Sequence, residues 1–397
     1  MSRAPDILGS DARPSFFPVA NTDELGLVSP PDRLGVPVRT WARALAGMQK
    51  EALVVNGASG RAWRLVSDEG PYLDGHDQAP CPLCTFITGM VSSYMGETLR
   101  LAAARGLSID DVELTLANHY SMKGSALAGT MLGGAQTPQL TARISADADS
   151  ADLEQLVQQA VRAAPINGLI DGSHNSLFNL SRNGDQIPVG DVQEMGTATL
   201  PDPDELFDRV GIASTSVADG LMVKVKPADQ VEGVPGGVNT SLQESQSRTL
   251  HVQATCRVRD DGVKVIHENL FRPIGSEFQF LSDEAPGFGG EGRAPDAATY
   301  LAAGIAFCFL TQFGRYARIT KRQLDEYRVV QDTHFSAGGD GVGTATPVET
   351  HVYLVTPEDD EFARKALDMS ERTCFLHATC RTDLDVNTTV LTNEDTG

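Results

Sequence analysis

The sequence predicts an α+β fold built from two similar halves, with antiparallel sheets and long central helices. The first observation is an internal repeat, which is sought before any other pattern because it decides the architecture. Residues 67–89 align without a gap to residues 282–304 at a constant offset of 215, with eight identities in 23 positions. The same offset places Arg100 on Arg315 and His119 on His334. The second observation is that strand-like and helix-like segments follow one another in the same order in both halves.

Each half begins with short runs typical of strands and continues into a long apolar helix. The runs cover residues 52–55 and 61–66 in the first half, and residues 250–258 and 263–270 in the second. The helices are predicted at residues 82–105 and 297–317, and residues 300–310 contain no charged side chain. Such a segment is too short to span a bilayer and too apolar for a surface helix, so we expect a buried central helix.

Two further strand patterns and an amphipathic helix close each half. Apolar and polar residues alternate at 112–120 and 139–145, and again at 326–335 and 348–355. The closing helices are predicted at 152–163 and 360–373. This order favours mostly antiparallel strand pairs with helices packed on one side of the sheets. We therefore divide the chain into an N-terminal arm (1–40), a first domain (41–185), a Pro/Gly-rich connecting segment (186–248) and a second domain (249–397).

Composition limits the classes of partner. Of the 397 residues 41 % are hydrophobic, enough for a large buried core, and the formal net charge is −21. A surface this acidic repels phosphate backbones and anionic lipids, which argues against nucleic-acid and membrane partners. No run of about 18 apolar residues predicts a transmembrane helix, and the N-terminus lacks an apolar core of signal-peptide length. We therefore expect a cytoplasmic protein whose six cysteines do not form a disulfide framework.

Two cysteines on predicted helices form the first candidate site. Cys308 lies in the middle of the second apolar helix, and Cys374 lies at the end of the last amphipathic helix. The matching positions in the first half are Ser93 and Ala164. A buried cysteine is most often a small core residue, but two helix-borne thiols in one half indicate a reactive pair. We expect thiol chemistry to belong to the second half.

A second cysteine motif, Cys81-Pro-Leu-Cys84, opens the first apolar helix. A helix N-terminus favours the thiolate, which lowers the pKa of a thiol and raises its reactivity. His76 lies upstream and is a candidate base for this thiol. The alternatives are plain packing and half of a zinc site. The candidate complement of such a zinc site is the cluster Cys374, His377 and Cys380, but we expect no metal and no cofactor.

Each half resembles an OsmC/Ohr domain, the family of thiol-dependent organic hydroperoxide reductases and osmotically induced relatives. In the first half the resemblance rests on PLCTFITGMVSSYMGETLRLAAARGLSIDDVEL. In the second half it rests on APDAATYLAAGIAFCFLTQFGRYARI and ARKALDMSERTCFLH. It covers about residues 50–180 and 250–390. Family members are intertwined homodimers with active sites at the subunit interface, so the repeat resembles such a dimer fused into one chain, a pseudo-dimer.

The resemblance implies roles for the cysteines. Cys308 matches the peroxidatic cysteine on the central helix, and Cys374 matches the resolving cysteine at the end of the later helix. The family's acidic residue, nine residues before the reactive cysteine, is Thr299 here and Cys84 in the first half. The family also uses an arginine from the N-terminal strands to bind the peroxide, for which the candidates are Arg257, Arg259 and Arg272.

The leading hypothesis is a cysteine-dependent organic hydroperoxide reductase. Cys308 would attack a hydroperoxide and Cys374 would resolve the sulfenic acid to a disulfide, which an external dithiol then reduces. The apolar residues Phe307, Phe309 and Leu310 on the same helix predict a small apolar or aromatic substrate. The protein would be a monomer, as a fused pseudo-dimer, or a homodimer.

Two other functions stay open. A cysteine-nucleophile hydrolase would use Cys84 or Cys308 against an activated carbonyl, assisted by His76, His119 or His334. Loss of the family carboxylate, together with a thiol and histidines in the same region, motivates this alternative. A non-catalytic relative would keep only the ligand cavity, and the histidines would then be structural.

Overall fold

Strands and helices alternate along the whole chain in the computed structural model, which describes residues 4–170, 174–213, 220–228, 243–337 and 341–392. The predicted connecting segment includes residues 214–219 and 229–242, which lie outside the described residues. The strands up to residue 226 are β1 (Phe17–Pro18), β2 (Val36–Ala44), β3 (Lys50–Asn56), β4 (Arg61–Ser67), β5 (Ile109–Ser125), β6 (Leu132–Ala135), β7 (Gln139–Ala146), β8 (Leu177–Arg182), β9 (Asp185–Ile187), β10 (Gln193–Glu194) and β11 (Met222–Lys226).

The later strands are β12 (Ser245–Val258), β13 (Lys264–Arg272), β14 (Glu277–Ser282), β15 (Glu326–Ser336), β16 (Thr344–Ala345), β17 (Glu349–Val355) and β18 (Asn387–Leu391). The α-helices are α1 (Ile7–Ser10), α2 (Thr22–Leu25), α3 (Pro82–Ala104), α4 (Ser150–Ala163), α5 (Asn167–Ile170), α6 (Ala297–Thr320), α7 (Asp360–Thr373) and α8 (Phe375–Arg381). Pro71–Leu73 and Phe207–Arg209 form single 3₁₀ turns.

Each of two sheets takes strands from both halves of the chain. In the first sheet the order is β1-β4-β3-β2-β15-β17-β8-β10, and in the second it is β11-β14-β13-β12-β5-β7-β18. The halves meet through antiparallel pairs, β2 with β15 and β5 with β12. The outer pairs β8 with β17 and β7 with β18 are parallel. The predicted α+β class is confirmed, but the sheets are mixed rather than purely antiparallel.

The central helices α3 and α6 pack against each other at two glycines. A Cβ atom on Gly89 would lie 2.8 Å from the carbonyl oxygen of Ala297, and one on Gly304 would lie 2.9 Å from the backbone of Phe86. No real Cβ atom approaches backbone this closely, so both positions require glycine for the helices to touch. These two glycines occupy matching positions of the sequence repeat. The match is explained by packing, because each helix needs a glycine where the two helices touch.

We expect Gly304→Ala to lower the free energy of unfolding by about 1–3 kcal/mol, because the added methyl overpacks the crossing of α3 and α6. Urea denaturation followed by circular dichroism measures this. Gly96→Ala is the matched control, since a Cβ there would meet only side-chain ends, Lys264 Nζ at 3.4 Å and Glu284 Oε1 at 3.9 Å. It should not destabilise, because alanine favours a helix interior over glycine. Equal stability of Gly304→Ala and the wild type would contradict the close crossing.

The sequence placed the central helices well and missed several strands in both halves. α7 begins and ends as expected, and α3 and α6 differ from their predicted bounds only at their C-terminal ends. The longest missed strands are β2, which begins inside the predicted arm, β8, β14 and β18. The segment Ala297–Thr320 is long and apolar enough to cross a membrane by length and composition alone. Of its most apolar stretch 94 % is buried inside the protein, as expected for a central helix.

Candidate active site

The thiols of Cys308 and Cys374 lie side by side in the interior. Cys308 is in the middle of α6, and Cys374 ends α7 and caps the N-terminus of α8, accepting the N–H of His377 at 3.5 Å. Hydrogen bonding from the Cys374 thiol and from the backbone N–H groups of Phe375 and Leu376 favours the charged form of Cys308. Because the thiolate is the nucleophile, these groups favour reactivity at Cys308.

These hydrogen bonds separate the acidities of the two thiols. Burial raises the pKa of Cys308, but the bonds from Cys374, Leu376 and Phe375 outweigh it, so the net pKa is lowered. The pKa of Cys374 is raised well above its usual value by burial and by donation to Cys308. A low-pKa thiol beside a protonated one is the arrangement of a nucleophile with its resolving partner.

A small cavity of about 20 Å³, room for roughly one water molecule, adjoins Cys308. Its polar lining comes from both halves of the chain, with Glu69 and Tyr72 from the first, and Arg248, Thr311 and Arg315 from β12 and α6. Its apolar wall consists of Leu73, Pro82, Leu83, Leu250, Leu270, Pro273 and Phe375. The expected wall residues Phe307, Phe309 and Leu310 are buried elsewhere in the core, since they are on other faces of α6.

Glu69 supplies a buried carboxylate opposite Cys308. One of its oxygens accepts the Thr311 hydroxyl at 3.1 Å, and the other accepts the Tyr72 hydroxyl at 2.8 Å. Burial raises the pKa of Glu69, and the charge of Lys50 opposes that rise. The family position for a carboxylate holds Thr299 in this chain, yet a carboxylate reaches the site from the loop after β4 of the other half.

Two arginines, the buried Arg315 and the partly buried Arg248, bring positive charge to the cavity. Arg315 lies two helical turns after Cys308 on α6, and its Nη1 donates to Gln312 at 2.6 Å. Burial and the charge of Arg248 lower the pKa of Arg315 to about 9, while Glu69 and Cys308 oppose that shift. Burial likewise lowers the pKa of Arg248 to about 10. Both stay positively charged at neutral pH and can stabilise an anion formed at Cys308.

The arginines predicted from the sequence lie away from this cavity. Arg257 pairs with Glu113 at 2.6 Å on the exposed part of β12, and Arg259 pairs with Asp261 at 2.9 Å. Arg272 ends β13 opposite His251. Arg248 lines the cavity instead, because the part of β12 that reaches the cavity is its beginning. Arg315 had a sequence signal, its match to Arg100 in the repeat, and Glu69 had another, its match to Glu284.

The histidines considered as bases also lie elsewhere. The Nε2 atom of His76 is 2.7 Å from the carbonyl oxygen of Ala4. His119 stacks on His251 with ring centroids 4.2 Å apart. His334 is buried in β15, opposite Pro37 of β2. The hydrolase alternative therefore gains no histidine base beside Cys84 or Cys308 among the contacts of the described residues.

Cys81 and Cys84 form a second pair of touching thiols at the start of α3. Their sulfur atoms are 2.6 Å apart, and Cys81 lines the same cavity as Cys308. The expected lowering of the thiol pKa by the helix N-terminus is wrong here. Burial raises the pKa of Cys81 and raises that of Cys84 well above its usual value, because desolvation of the charged form dominates. Among the described residues, no cluster of three or more His, Cys, Asp or Glu side chains could hold a metal ion.

A second cavity, of about 90 Å³, lies against the other central helix, α3. At the offset of 215, Ser93 stands there for Cys308 and Asp296 stands for Cys81. Charged positions are kept, since Glu284 matches Glu69 and Arg100 matches Arg315. None of its lining residues is a cysteine. The two cavities thus have charged groups at matching positions of the repeat. Cys81 and Cys308 line the cavity on α6.

The fold and this site define an α+β protein with a buried, hydrogen-bonded cysteine pair. Residues 290–389 match the family model of OsmC-like proteins, a stretch that holds α6, α7, α8 and both Cys308 and Cys374. This part of the chain is similar to OsmC-like proteins. Among solved structures, the chain is similar to an OsmC-like hydroperoxide resistance protein from Jannaschia sp. CCS1, with 19 % identity and a TM-score of 0.19, covering 32 % of this chain and 83 % of that one. No curated protein matches the chain.

Proposed function

We propose that the protein is a cysteine-dependent organic hydroperoxide reductase with Cys308 as the nucleophile. The observation that supports it most is the place of Cys308 in a cavity that Arg248 and Arg315 also line. Their two guanidinium groups and the neighbouring Cys374 thiol favour a thiolate at Cys308. The match of residues 290–389 to OsmC-like proteins agrees with thiol chemistry at this pair.

The reaction proceeds in two steps. The Cys308 thiolate attacks the distal oxygen of the hydroperoxide, the O–O bond breaks, and the leaving alkoxide takes a proton to become an alcohol. The charge of Arg315 stabilises the departing oxygen. The Cys374 thiol then attacks the sulfur of the Cys308 sulfenic acid, which releases water and forms a disulfide. An external dithiol reduces this disulfide and completes the cycle.

We further propose that the chain is two OsmC-like units in tandem, at about residues 41–185 and 249–397. The sheet orders support this, because β4-β3-β2-β15-β17-β8 in one sheet corresponds element by element to β14-β13-β12-β5-β7-β18 in the other. Like the sheets, the cavity combines residues from both units. Glu69 and Cys81 come from the first unit, whereas Cys308 and Arg315 come from the second.

The test is to add cumene hydroperoxide to the fully reduced protein without a reductant and to map disulfides by mass spectrometry over time. We expect the first bond to form between Cys308 and Cys374, with one hydroperoxide consumed and one alcohol released per bond. Persistence of both residues as thiols while the hydroperoxide stays intact would refute the proposal. An acyl adduct on Cys308 or Cys84 with an activated ester, under the same conditions, would favour the hydrolase instead.

A further inference from the structure

A second pair of thiols, Cys81 and Cys84, lies beside the cavity that Cys308 lines. Cys81 lines this cavity together with Cys308, while its partner Cys84 is one helical turn away on α3. The two sulfur atoms of this pair are 2.6 Å apart, so their union into a disulfide needs little movement of the backbone. A plain packing role does not require two thiols in contact at this place.

We propose that Cys81 and Cys84 form an internal relay that reduces the disulfide between Cys308 and Cys374. This inference rests on the proposed function, because it needs that disulfide as its substrate. The relay moves the oxidised bond from the peroxide-reacting pair to the pair at the start of α3. The external dithiol then acts on Cys81 and Cys84.

The chemistry is two successive thiol–disulfide exchanges. The Cys81 sulfur attacks the sulfur of Cys308, the Cys308–Cys374 bond breaks, and Cys374 leaves as a thiolate that takes up a proton. The Cys84 sulfur then attacks Cys81, and Cys308 leaves. One disulfide opens and one forms, so two electrons pass from the Cys81 and Cys84 pair to the other pair. The hydrogen bonds that lower the pKa of Cys308 also make it a good leaving group.

A buried carboxyl group is available for the proton of Cys84. Glu268 on β13 lies close enough to the Cys84 thiol to interact with it electrostatically. Neither of its oxygens accepts a hydrogen bond within the part of the chain that the structure describes. Burial raises the pKa of Glu268 to about 8 and raises the pKa of Cys84 well above its usual value, so the proton passes to the carboxylate only as the Cys84 sulfur attacks and becomes more acidic. The group has no other evident task in the core.

The experiment compares wild type with Cys81→Ser/Cys84→Ser in the absence of reductant. With one equivalent of cumene hydroperoxide, we expect the wild-type disulfide between Cys81 and Cys84, and the variant disulfide between Cys308 and Cys374. With excess hydroperoxide, the wild type should consume two equivalents and the variant one. Cys256→Ala, which removes a cysteine from the core of β12, is the matched control and should still consume two.

A single substitution traps the intermediate and does not depend on the double variant folding. After one equivalent of hydroperoxide, Cys84→Ala should accumulate a mixed disulfide between Cys81 and Cys308. A wild type that consumes one equivalent and keeps Cys81 and Cys84 as thiols would overturn the relay and leave the proposed function standing. Oxidation of Cys81 and Cys84 by hydroperoxide in Cys308→Ala would overturn both, because the second pair would then react directly.

Discussion

Cys308→Ser should reduce hydroperoxide turnover by at least about a thousandfold, the scale on which covalent enzymes lose activity with their nucleophile. A serine hydroxyl in the same place stays protonated at neutral pH, so it cannot attack the O–O bond. The measurement is consumption of cumene hydroperoxide in steady state with dithiothreitol as the reductant. Because serine is nearly isosteric with cysteine, we expect circular dichroism and the urea midpoint to change little.

The chain offers a matched control for that substitution. Ser93 occupies the equivalent place on α3, beside the cavity that has no cysteine. We expect Ser93→Ala to retain full turnover, because thiol chemistry belongs to the cavity on α6. Normal turnover by Cys308→Ser would refute the assignment of the nucleophile. Loss of turnover in Ser93→Ala would show instead that the second cavity takes part.

Arg315→Gln should lower kcat/KM for hydroperoxide by about 100- to 1,000-fold, since it removes a preorganised charge beside the reacting atoms. Arg315 interacts electrostatically with both Cys308 and Glu69. Without its charge the Cys308 thiolate is less stable, so the pH at which the rate reaches its plateau should move upward. The rate of the first disulfide bond, measured by stopped-flow from pH 5 to 9, reports both effects.

The control for Arg315 is the arginine at the matching position of α3. Arg100 is half exposed and pairs with Glu97 at 2.7 Å, at the cavity that lacks thiols. Arg100→Gln should leave both the rate and its pH profile unchanged. A lower melting temperature of Arg315→Gln with an unshifted pH profile would indicate a structural role only. Partial recovery of rate in Arg315→Lys would support the electrostatic one.

The sequence was informative about local structure because helices and turns obey local rules. The repeat and the apolar stretch at residues 300–310 predicted the central helices, and the same pattern drew attention to Cys308 and Cys374. The sequence did not predict which strands pair with each other. The pairing of β5 with β12 joins residues about 130 positions apart, and alternation of polar and apolar residues does not specify which strand lies beside which.

The charged groups of the site were missed for the same reason. Arg248 was assigned to the connecting segment, yet it stands inside β12, which begins at Ser245. Glu69 is about 240 residues from Cys308 in sequence and reaches it only because the loop after β4 packs against α6 through Thr311. The family pattern directed the search for a carboxylate to the helix itself. Long-range packing supplied the carboxylate from the other half.

Because each sheet takes strands from both halves of one chain, the two cavities have a freedom that the sites of paired identical subunits lack. In a symmetric dimer every substitution appears twice, so both interface sites change together. Here Asp296 and Cys81 occupy matching positions, but one is a carboxylic acid and the other is a thiol. The two sheets have matching strand orders, while the side chains that line the two cavities differ. Under the proposed function, substitutions in the cavity on α3 can therefore change what it binds without altering the thiols of the other cavity.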